Sequence, residues 1–139
     1  MNQEIIAFRH ELHKHPEVSN NEYDTSKRIL NFIKKYNPDE IIKLGETGLA
    51  FLFNGKAKGK TIVFRSELDA LSIIEHSGLE YTSVNNHIAH SCGHDGHMAI
   101  VAGLAQKISG DLPTKGTVIL LFQPAEELEQ GARDVVENP

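Results

Sequence analysis

The segment HSCGHDGH, residues 90–97, concentrates the reactive side chains of this sequence. It holds three histidines, an aspartate and the only cysteine of the chain within eight positions. Cys92 and His94 are separated by Gly93, and a glycine lets the backbone turn sharply enough to bring a thiolate and an imidazole to one point. Both groups are good ligands for zinc and similar divalent cations. The spacing therefore predicts a metal site at Cys92 and His94.

Other uses of these side chains stay open at this point. A histidine-rich polar loop can simply be solvated, and we expect His87 and His90 to be structural or solvent-facing. His97, one turn further along a predicted helix, could serve either role. Cys92 could also be a nucleophile with His94 or His97 as its base. The short Cys-x-His spacing across a glycine is poor geometry for such a pair, so the metal hypothesis is favoured.

The segment QPAEE supplies a second group of reactive side chains. Glu126 and Glu127 directly follow a predicted buried strand. Neighbouring residues of an extended chain point in opposite directions, so one carboxylate could bind a metal while the other takes a proton from the attacking water. The alternative is a solvated acidic turn, because EELE is also a good first turn for a helix. We favour the functional interpretation, because the cysteine–histidine segment also carries side chains that can bind a metal.

A third acidic segment is RSELDA. Strand alternation places Arg65, Glu67 and Asp69 on one side if the strand extends that far. Carboxylates at a strand end are natural partners for a metal-bound histidine, although a surface charge cluster is an alternative. The segment HELHKHPE, with His10 and His13 at helical spacing, is predicted to be structural, since no acidic strand end or glycine turn supports a site there.

Regular elements must bring these segments together. Apolar periodicity predicts helices over 3–14 and 21–36, and another that begins after Asp95 as N-cap. Three short apolar runs between glycines, EIIKLG, GLAFLFNG and KTIVFRSE, predict a three-stranded meander. An irregular loop is expected over 70–92. The run GTVILLFQP predicts a strand covered on both faces by helices, and EELEQGARDVVENP predicts the beginning of a last helix.

Composition limits the possible classes of function. The chain has 139 residues, the size of one domain, with 40% hydrophobic and 24% charged residues. A net charge of −5 without a basic stripe argues against a nucleic-acid or membrane-surface partner. No apolar run is long enough to span a bilayer, and the start, MNQEIIAFRHELHKH, does not resemble a secretory signal. A single cysteine cannot form an internal disulfide, so we predict a cytoplasmic protein.

Four segments resemble, in order and spacing, the metal-dependent amidohydrolases of the zinc exopeptidase and aminoacylase group. They are RHELHKHPEVSNNE, FRSELDALSI, HSCGHDGHMAIVAGLA and GTVILLFQPAEELEQGA, and together they span nearly all of the chain. This branch includes hippurate hydrolase, N-acyl-amino-acid amidohydrolases and auxin-conjugate hydrolases. The resemblance implies an α/β catalytic domain with a mixed central sheet flanked by helices. It also implies hydrolysis of the amide bond of N-acyl amino acids or small peptides by a metal-activated water.

The resemblance also assigns roles to individual residues. It implies that Cys92, His94 and Glu127 ligate metal, and that Glu126 is the general base. Asp69 matches the family aspartate that holds a metal-bound histidine, and we group it with Glu126 among the catalytic residues. Relatives use two divalent ions, which can be zinc, manganese, cobalt or nickel.

The sequence departs from the family pattern in three respects. Glu67 stands where the family has an aspartate, and Ser72 where it has a proline, which bears on the partners of the metal-bound histidine. Relatives also draw further histidine ligands, and a dimerisation or lid domain, from sequence beyond the Pro-Ala-Glu-Glu motif. Residues 1–139 are therefore expected to be the N-terminal portion of a truncated catalytic domain, with homodimerisation possible only in a full-length parent. The isolated chain is expected to be inactive, and a non-catalytic fragment is the main alternative.

Overall fold

Four α-helices and four strands form the regular structure of residues 2–137, which a computed structural model describes. Along the chain they are α1 (Gln3–Lys14), α2 (Tyr23–Ile33) with a 3-10 turn (Lys34–Tyr36), β1 (Glu40–Leu44), β2 (Gly48–Asn54), β3 (Thr61–Glu67), α3 (His94–Gly110), β4 (Thr117–Gln123) and α4 (Gly131–Glu137). The predicted α/β class with a mixed sheet is confirmed. The first two helices and the irregular loop over 70–92 also lie where the sequence predicts them.

The strands lie in the order β1-β2-β4-β3, so the predicted three-stranded meander is wrong. β1 and β2 pair as an antiparallel hairpin, but β4 takes the next position, antiparallel to β2 and parallel to β3. The connection from β3 through α3 to β4 is a βαβ crossover, which returns the chain beside β3 in the same direction. As a consequence, β3 and β4 end at the same edge of the sheet.

At the other end of these strands, the β2–β3 connection makes close backbone contacts with the start of β4. Gly55 N donates to Gly116 O at 2.7 Å, and Gly116 N donates to Ala57 O at 2.8 Å, so the β2–β3 connection crosses the start of β4. Gly116 has a φ of +86°, and a Cβ on it would lie 2.2 Å from the carbonyl oxygen of Lys60. Only a glycine can occupy this position without displacing the neighbouring backbone.

The hydrophobic core lies between the sheet and the first three helices. Leu120 and Phe122 of β4 face this core and are fully buried, whereas Ile119 and Leu121 on the other face are half-buried. The prediction that helices cover both faces of this strand is therefore wrong for the part of the chain that the structure describes. The other buried residues of this core are Leu12, Ile29, Phe32, Ile33, Leu49, Phe51, Phe53, Leu68, Met98, Val101, Ala102 and Ala105. None of the helices within residues 2–137 combines the length and apolar character needed to cross a membrane.

The start of α3 differs from its prediction. Gly93, with a φ of +93°, is the N-cap, and Asp95 lies in the first turn of the helix. The carboxylate of Asp95 is buried and faces α1, where its Oδ2 atom accepts hydrogen bonds from Arg9 Nε at 3.1 Å and His13 Nδ1 at 2.9 Å. Asp95 therefore joins two helices, and the N-cap prediction is wrong because this tertiary contact replaces the local one.

His13 also attaches the long loop to the helices. Its Nε2 atom lies 3.0 Å from Glu75 Oε1, while Nδ1 contacts Asp95, so one buried ring connects α1, α3 and the 70–92 loop. Although burial raises the pKa of Glu75, its hydrogen bonds with His13, Ser77 and the Ser83 amide lower it to about 2. The pKa of His13 is lowered by burial and raised, on balance, by the two carboxylates. The prediction that this histidine segment is structural agrees with these contacts.

The Glu75→Gln variant tests this attachment. The folded-state pKa of Glu75 lies below its ordinary value of 4.5, so its contribution is present above pH 4.5 and is lost as the pH falls toward 2. The contribution of His13, whose pKa lies above 6.5, is present below pH 6.5 and is lost as the pH rises further. We expect Glu75→Gln to lower the free energy of unfolding by about 1–3 kcal/mol at about pH 5.5, and by much less at about pH 2.5. Urea denaturation at both pH values measures this, with the exposed Glu80→Gln as control. A loss of equal size at both pH values would contradict the ion-pair account.

Candidate metal centre

Two loops that are distant in sequence meet at the edge where β3 and β4 end. One leads into α3 and carries Cys92, with His94 as the first residue of the helix, and the other follows β4 and carries Glu127. One ligand atom from each of these three residues lies within 4.8 Å of the other two. The parallel β3–β4 pair brings the loops together, because the carboxyl ends of neighbouring parallel strands share one edge of a sheet.

His94 is buried and held in one orientation. Its Nδ1 atom lies 2.9 Å from the carbonyl oxygen of Asp69, and its Nε2 atom lies 3.7 Å from Glu126 Oε2 and 3.8 Å from Glu127 Oε1. A hydrogen bond from Nδ1 to the carbonyl leaves Nε2 of the neutral ring free to bind a cation. Burial lowers the pKa of His94, but the Asp69 carboxylate and the Cys92 sulfur outweigh it and raise the pKa to about 11. Without a metal, His94 therefore carries a positive charge beside the Asp69 carboxylate.

Asp69 supports the site from just beyond β3. Its Oδ2 atom accepts hydrogen bonds from Ser19 Oγ at 2.7 Å and from the Glu127 amide at 2.9 Å. Oδ1 lies 3.6 Å from His94 Nδ1, too far for a good hydrogen bond, so the carboxylate acts on that ring mainly through its charge. Burial raises the pKa of Asp69, but His94, Ser19 and the amide together lower it to about 2. Asp69 is thus a fully buried carboxylate that stays ionised.

The turn after β4 directs both glutamates to the same place. Ala125 has a φ of +48°, and its carbonyl oxygen accepts from the amides of Gln130 at 3.3 Å and Gly131 at 3.2 Å. A Cβ on Gly131 would lie 1.5 Å from the Pro124 carbonyl oxygen, so a glycine is needed to close this turn. The backbone here is not extended, and the prediction that the two carboxylates point in opposite directions is wrong. The last helix likewise begins at Gly131, after the turn, and not within EELE.

A second group of possible ligands shares His94. Glu67, at the end of β3, contacts His97 Nδ1 through Oε2 at 2.9 Å and Arg65 Nη1 through Oε1 at 2.8 Å. Glu67, His94 and His97 also offer ligand atoms within 4.8 Å of one another. Burial raises the pKa of Glu67, and its contact with His97 and nearby positive charges lower it overall. Since His94 has one free nitrogen, the two groups compete for it.

Three further histidines, His10, His87 and His90, lie in different surroundings. His87 is exposed, as expected, and the ring of His10 stacks on Tyr81 with centroids 3.7 Å apart. His90 is buried, and among the described residues neither of its ring nitrogens has a hydrogen-bond partner. Burial lowers its pKa to about 4, so it is a neutral core histidine near pH 7. Of the two roles expected for His90, structural or solvent-facing, its burial supports the structural one.

Sequence patterns gave no signal for two residues that contact the site. Ser19 and Glu22 lie in the loop between α1 and α2, where Ser19 binds the Asp69 carboxylate and Glu22 accepts from the Ala125 amide at 2.8 Å. Both act through contacts with residues at least 50 positions away. Both residues do lie in HPEVSNNE, a segment that the family resemblance covers, and this is the one indication in the sequence that they could have a role at the site.

The donor set fits a divalent cation of the zinc type. It combines a thiol sulfur, an imidazole nitrogen and a carboxylate oxygen from Cys92, His94 and Glu127, and such mixed sets suit zinc and its neighbours. Asp69 Oδ1 is buried and has no hydrogen-bond partner among the described residues, so this carboxylate adds negative charge close to the candidate ligands. A cavity of about 340 Å³ borders Glu127 and is lined on its other sides by Val18, Ser19, Ala70, Leu71, Ser72 and Leu128.

The Asp69→Asn variant tests how far the site depends on this carboxylate. An amide there has one acceptor oxygen and no charge, so the Glu127 amide and His94 lose part of their support. We expect a loss of about 10–100-fold in the affinity of the chain for Zn²⁺ or Mn²⁺, measured by calorimetric titration. Asp39→Asn is the control, because Asp39 accepts from the Asn54 amide at 2.7 Å on another part of the surface. Equal affinities in all three proteins would show that Asp69 does not support metal binding.

Comparisons with known proteins agree with this geometry. The sequence pattern of Peptidase family M20/M25/M40 matches residues 63–139. The N-acetyldiaminopimelate deacetylase of Bacillus subtilis (strain 168) is 39% identical over 137 residues, which are 98% of this chain and 36% of that protein. The Listeria innocua enzyme of the same name is 39% identical over 140 residues, covering 99% of this chain and 37% of its own length.

A solved structure shows the same fold. The Bacillus subtilis YXEP protein, described as a dinuclear metal binding peptidase from the M20 family, has a TM-score of 0.92 and 36% identity, over 98% of this chain and 38% of its own. The chain thus spans a little over a third of the length of these relatives. The family match covers more than half of the chain and includes every candidate ligand. The chain belongs to Peptidase family M20/M25/M40.

Proposed function

We propose that the protein containing this chain hydrolyses the amide bond of N-acyl amino acids, with Cys92, His94 and Glu127 as metal ligands and Glu126 as general base. The observation that carries the proposal is the convergence of three candidate ligand atoms within 4.8 Å, from two loops that β3 and β4 bring to one edge. The M20 relatives named as deacetylases and as a dinuclear metal binding peptidase support the same reaction class. On this proposal the site holds divalent cations, two in the complete protein.

In the proposed reaction Glu126 transfers protons, and Asp69 holds the ligands in place. A bound divalent cation lowers the pKa of water and polarises the carbonyl of the scissile amide. The Glu126 carboxylate, 3.7 Å from His94 Nε2, is close enough to the ligands to take a proton from the attacking water. Glu126 then returns that proton to the nitrogen of the leaving amine. Asp69 fixes His94 and the Glu127 amide, so the ligands keep their positions while Glu126 changes protonation state.

The cavity beside Glu127 favours a small substrate. Its walls combine the aliphatic side chains of Val18, Leu71 and Leu128 with the Ser19 and Ser72 hydroxyls. Pockets of this kind bind a small group with an apolar part and a few hydrogen-bonding atoms. An acetyl-sized group next to the ligands would fit, which is consistent with the deacetylase names of the relatives. We propose an N-acetylated amino acid, such as N-acetyldiaminopimelate, as the first substrate to assay. That residues 1–139 are the N-terminal portion of a larger catalytic domain stays a prediction.

The Glu126→Gln variant, made in a full-length protein that contains this chain, tests the division of roles. The amide cannot accept a proton, so we expect kcat to fall by about 10²–10⁴-fold while the bound metal is retained. Deacetylation rates and metal analysis by mass spectrometry measure the two quantities on the same samples. Glu127→Gln is the matched control and is expected to lose metal. Loss of metal from the Glu126 variant, with retention in the Glu127 variant, would reverse the two assignments.

Inhibition of the same full-length protein separates metal from thiol chemistry. A metal-dependent hydrolase is expected to lose activity on treatment with a chelator and to regain it when Zn²⁺ or Mn²⁺ is added back. A thiol hydrolase with Cys92 as nucleophile would resist the chelator and lose its activity on alkylation. The convergence of Glu127 with Cys92 and His94 argues for the first outcome, because a thiol hydrolase would give this carboxylate no role.

A further inference from the structure

Glu22 is a buried carboxylate that reaches the turn carrying the two glutamates. It precedes α2, and the residue has 0% of its surface exposed. Its Oε2 atom accepts a hydrogen bond from Thr47 Oγ1 at 2.9 Å, in the connection between β1 and β2. Its Oε1 atom accepts from the Ala125 amide at 2.8 Å. One side chain therefore joins the start of α2, the β1–β2 connection and the turn after β4.

The amide that Glu22 holds belongs to a strained residue. Ala125 is fully buried and has a φ of +48°, a left-handed conformation that is unfavourable for a residue with a side chain. Such a conformation persists only where surrounding contacts impose it. A hydrogen bond from the Ala125 amide to a buried carboxylate is a strong contact of this kind, because an ionised acceptor roughly doubles the strength of the bond.

A second buried carboxylate holds the same turn two residues later. Asp69 Oδ2 accepts from the Glu127 amide at 2.9 Å. The amides of residues 125 and 127 are thus fixed by two carboxylates that reach the turn from different segments, and Glu126 lies between them. The backbone of this turn decides where both glutamate side chains point. Each of them lies within 4 Å of His94 Nε2 as a result.

We propose that Glu22 is a positioning residue for Glu126 and Glu127, which acts through the Ala125 amide and determines the affinity of the site for metal. This inference rests on the proposed function, since it takes Glu127 as a ligand. Glu22 itself makes no contact with the candidate ligand atoms, so its effect is transmitted by the backbone conformation of residues 124–127.

The test compares Glu22→Ala and Glu22→Gln in the 139-residue chain. Alanine removes the acceptor of the Ala125 amide, whereas glutamine keeps an amide oxygen that can accept it. We expect Glu22→Ala to lower the affinity for Zn²⁺ by about 10–100-fold in calorimetric titration, and Glu22→Gln to restore most of the wild-type affinity. If Glu22→Ala does not fold, Glu22→Asp serves in its place, because a carboxylate shortened by one methylene cannot bridge Thr47 and Ala125.

Glu17→Ala is the matched control. The Glu17 carboxylate also stabilises the start of α2, where it accepts from the Thr25 amide at 2.6 Å and the Asp24 amide at 3.2 Å, but it does not contact the turn. Both alanine variants should unfold at a lower temperature, and only Glu22→Ala should lose metal affinity. Unchanged affinity in Glu22→Ala, or equal losses in both variants, would overturn the proposal.

Amide hydrogen exchange of the metal-free chain, followed by NMR, tests the inference separately from the proposed function. Losing a hydrogen bond of ordinary strength should speed exchange at Glu127 by roughly tenfold in Glu22→Ala, although the Asp69 acceptor of that amide is intact. Glu17→Ala should leave that amide unchanged. If the wild-type chain binds no metal, the exchange rate at Glu127 alone decides the role of Glu22, and the proposed function is judged separately from the Glu126→Gln and chelator experiments on the full-length protein. Unchanged exchange at Glu127 would then overturn the role proposed for Glu22.

Discussion

The buried carboxylate of Asp69 is the group on which the geometry of the site depends. It lies just beyond the end of β3 and contacts the α1–α2 loop through Ser19 and the turn after β4 through the Glu127 amide. The backbone carbonyl of the same residue orients His94 at the start of α3. Burial of a charge is costly, and the carboxylate stays ionised only because these donors surround it. One residue therefore sets the relative positions of three segments.

Excess negative charge at this edge of the sheet explains why a cation belongs there. Asp69, Glu126 and Glu127 lie around a single buried imidazole, with the Cys92 sulfur beside them. Without a metal, a proton on His94 offsets part of this charge, which is the reason for the raised pKa of that ring. A divalent cation would replace that proton and balance more of the charge. Buried hydrogen bonds thus keep several anions close together.

Local sequence patterns and the family resemblance predicted three candidate ligands that the structure brings together, but they predicted the geometry of the site only in part. Cys92, His94 and Glu127 were identified from residue types and family resemblance, and the structure brings their ligand atoms together. Strand order was not predictable from short apolar runs, because pairing of β3 with β4 depends on a crossover of about fifty residues. The N-cap assignment of Asp95 failed for a related reason, since a contact with α1 determines where that carboxylate points.

Contacts between distant segments also account for the residues that sequence reasoning missed. Ser19 is an ordinary polar residue in a loop, and Glu22 resembles the acidic residues that commonly precede a helix. Their roles appear only when the fold places them against Asp69 and Ala125. The opposite directions predicted for Glu126 and Glu127 failed because Ala125 adopts a positive φ, which no local propensity of alanine favours.

Anomalous scattering from a crystal of the chain grown with Zn²⁺ would show which side chains bind the cation. We expect one strong peak that lies about 2.0–2.3 Å from each of Cys92 Sγ, His94 Nε2 and a Glu127 carboxylate oxygen. A metal bound instead by Glu67 and His97, with Cys92 and Glu127 outside bonding distance, would contradict it.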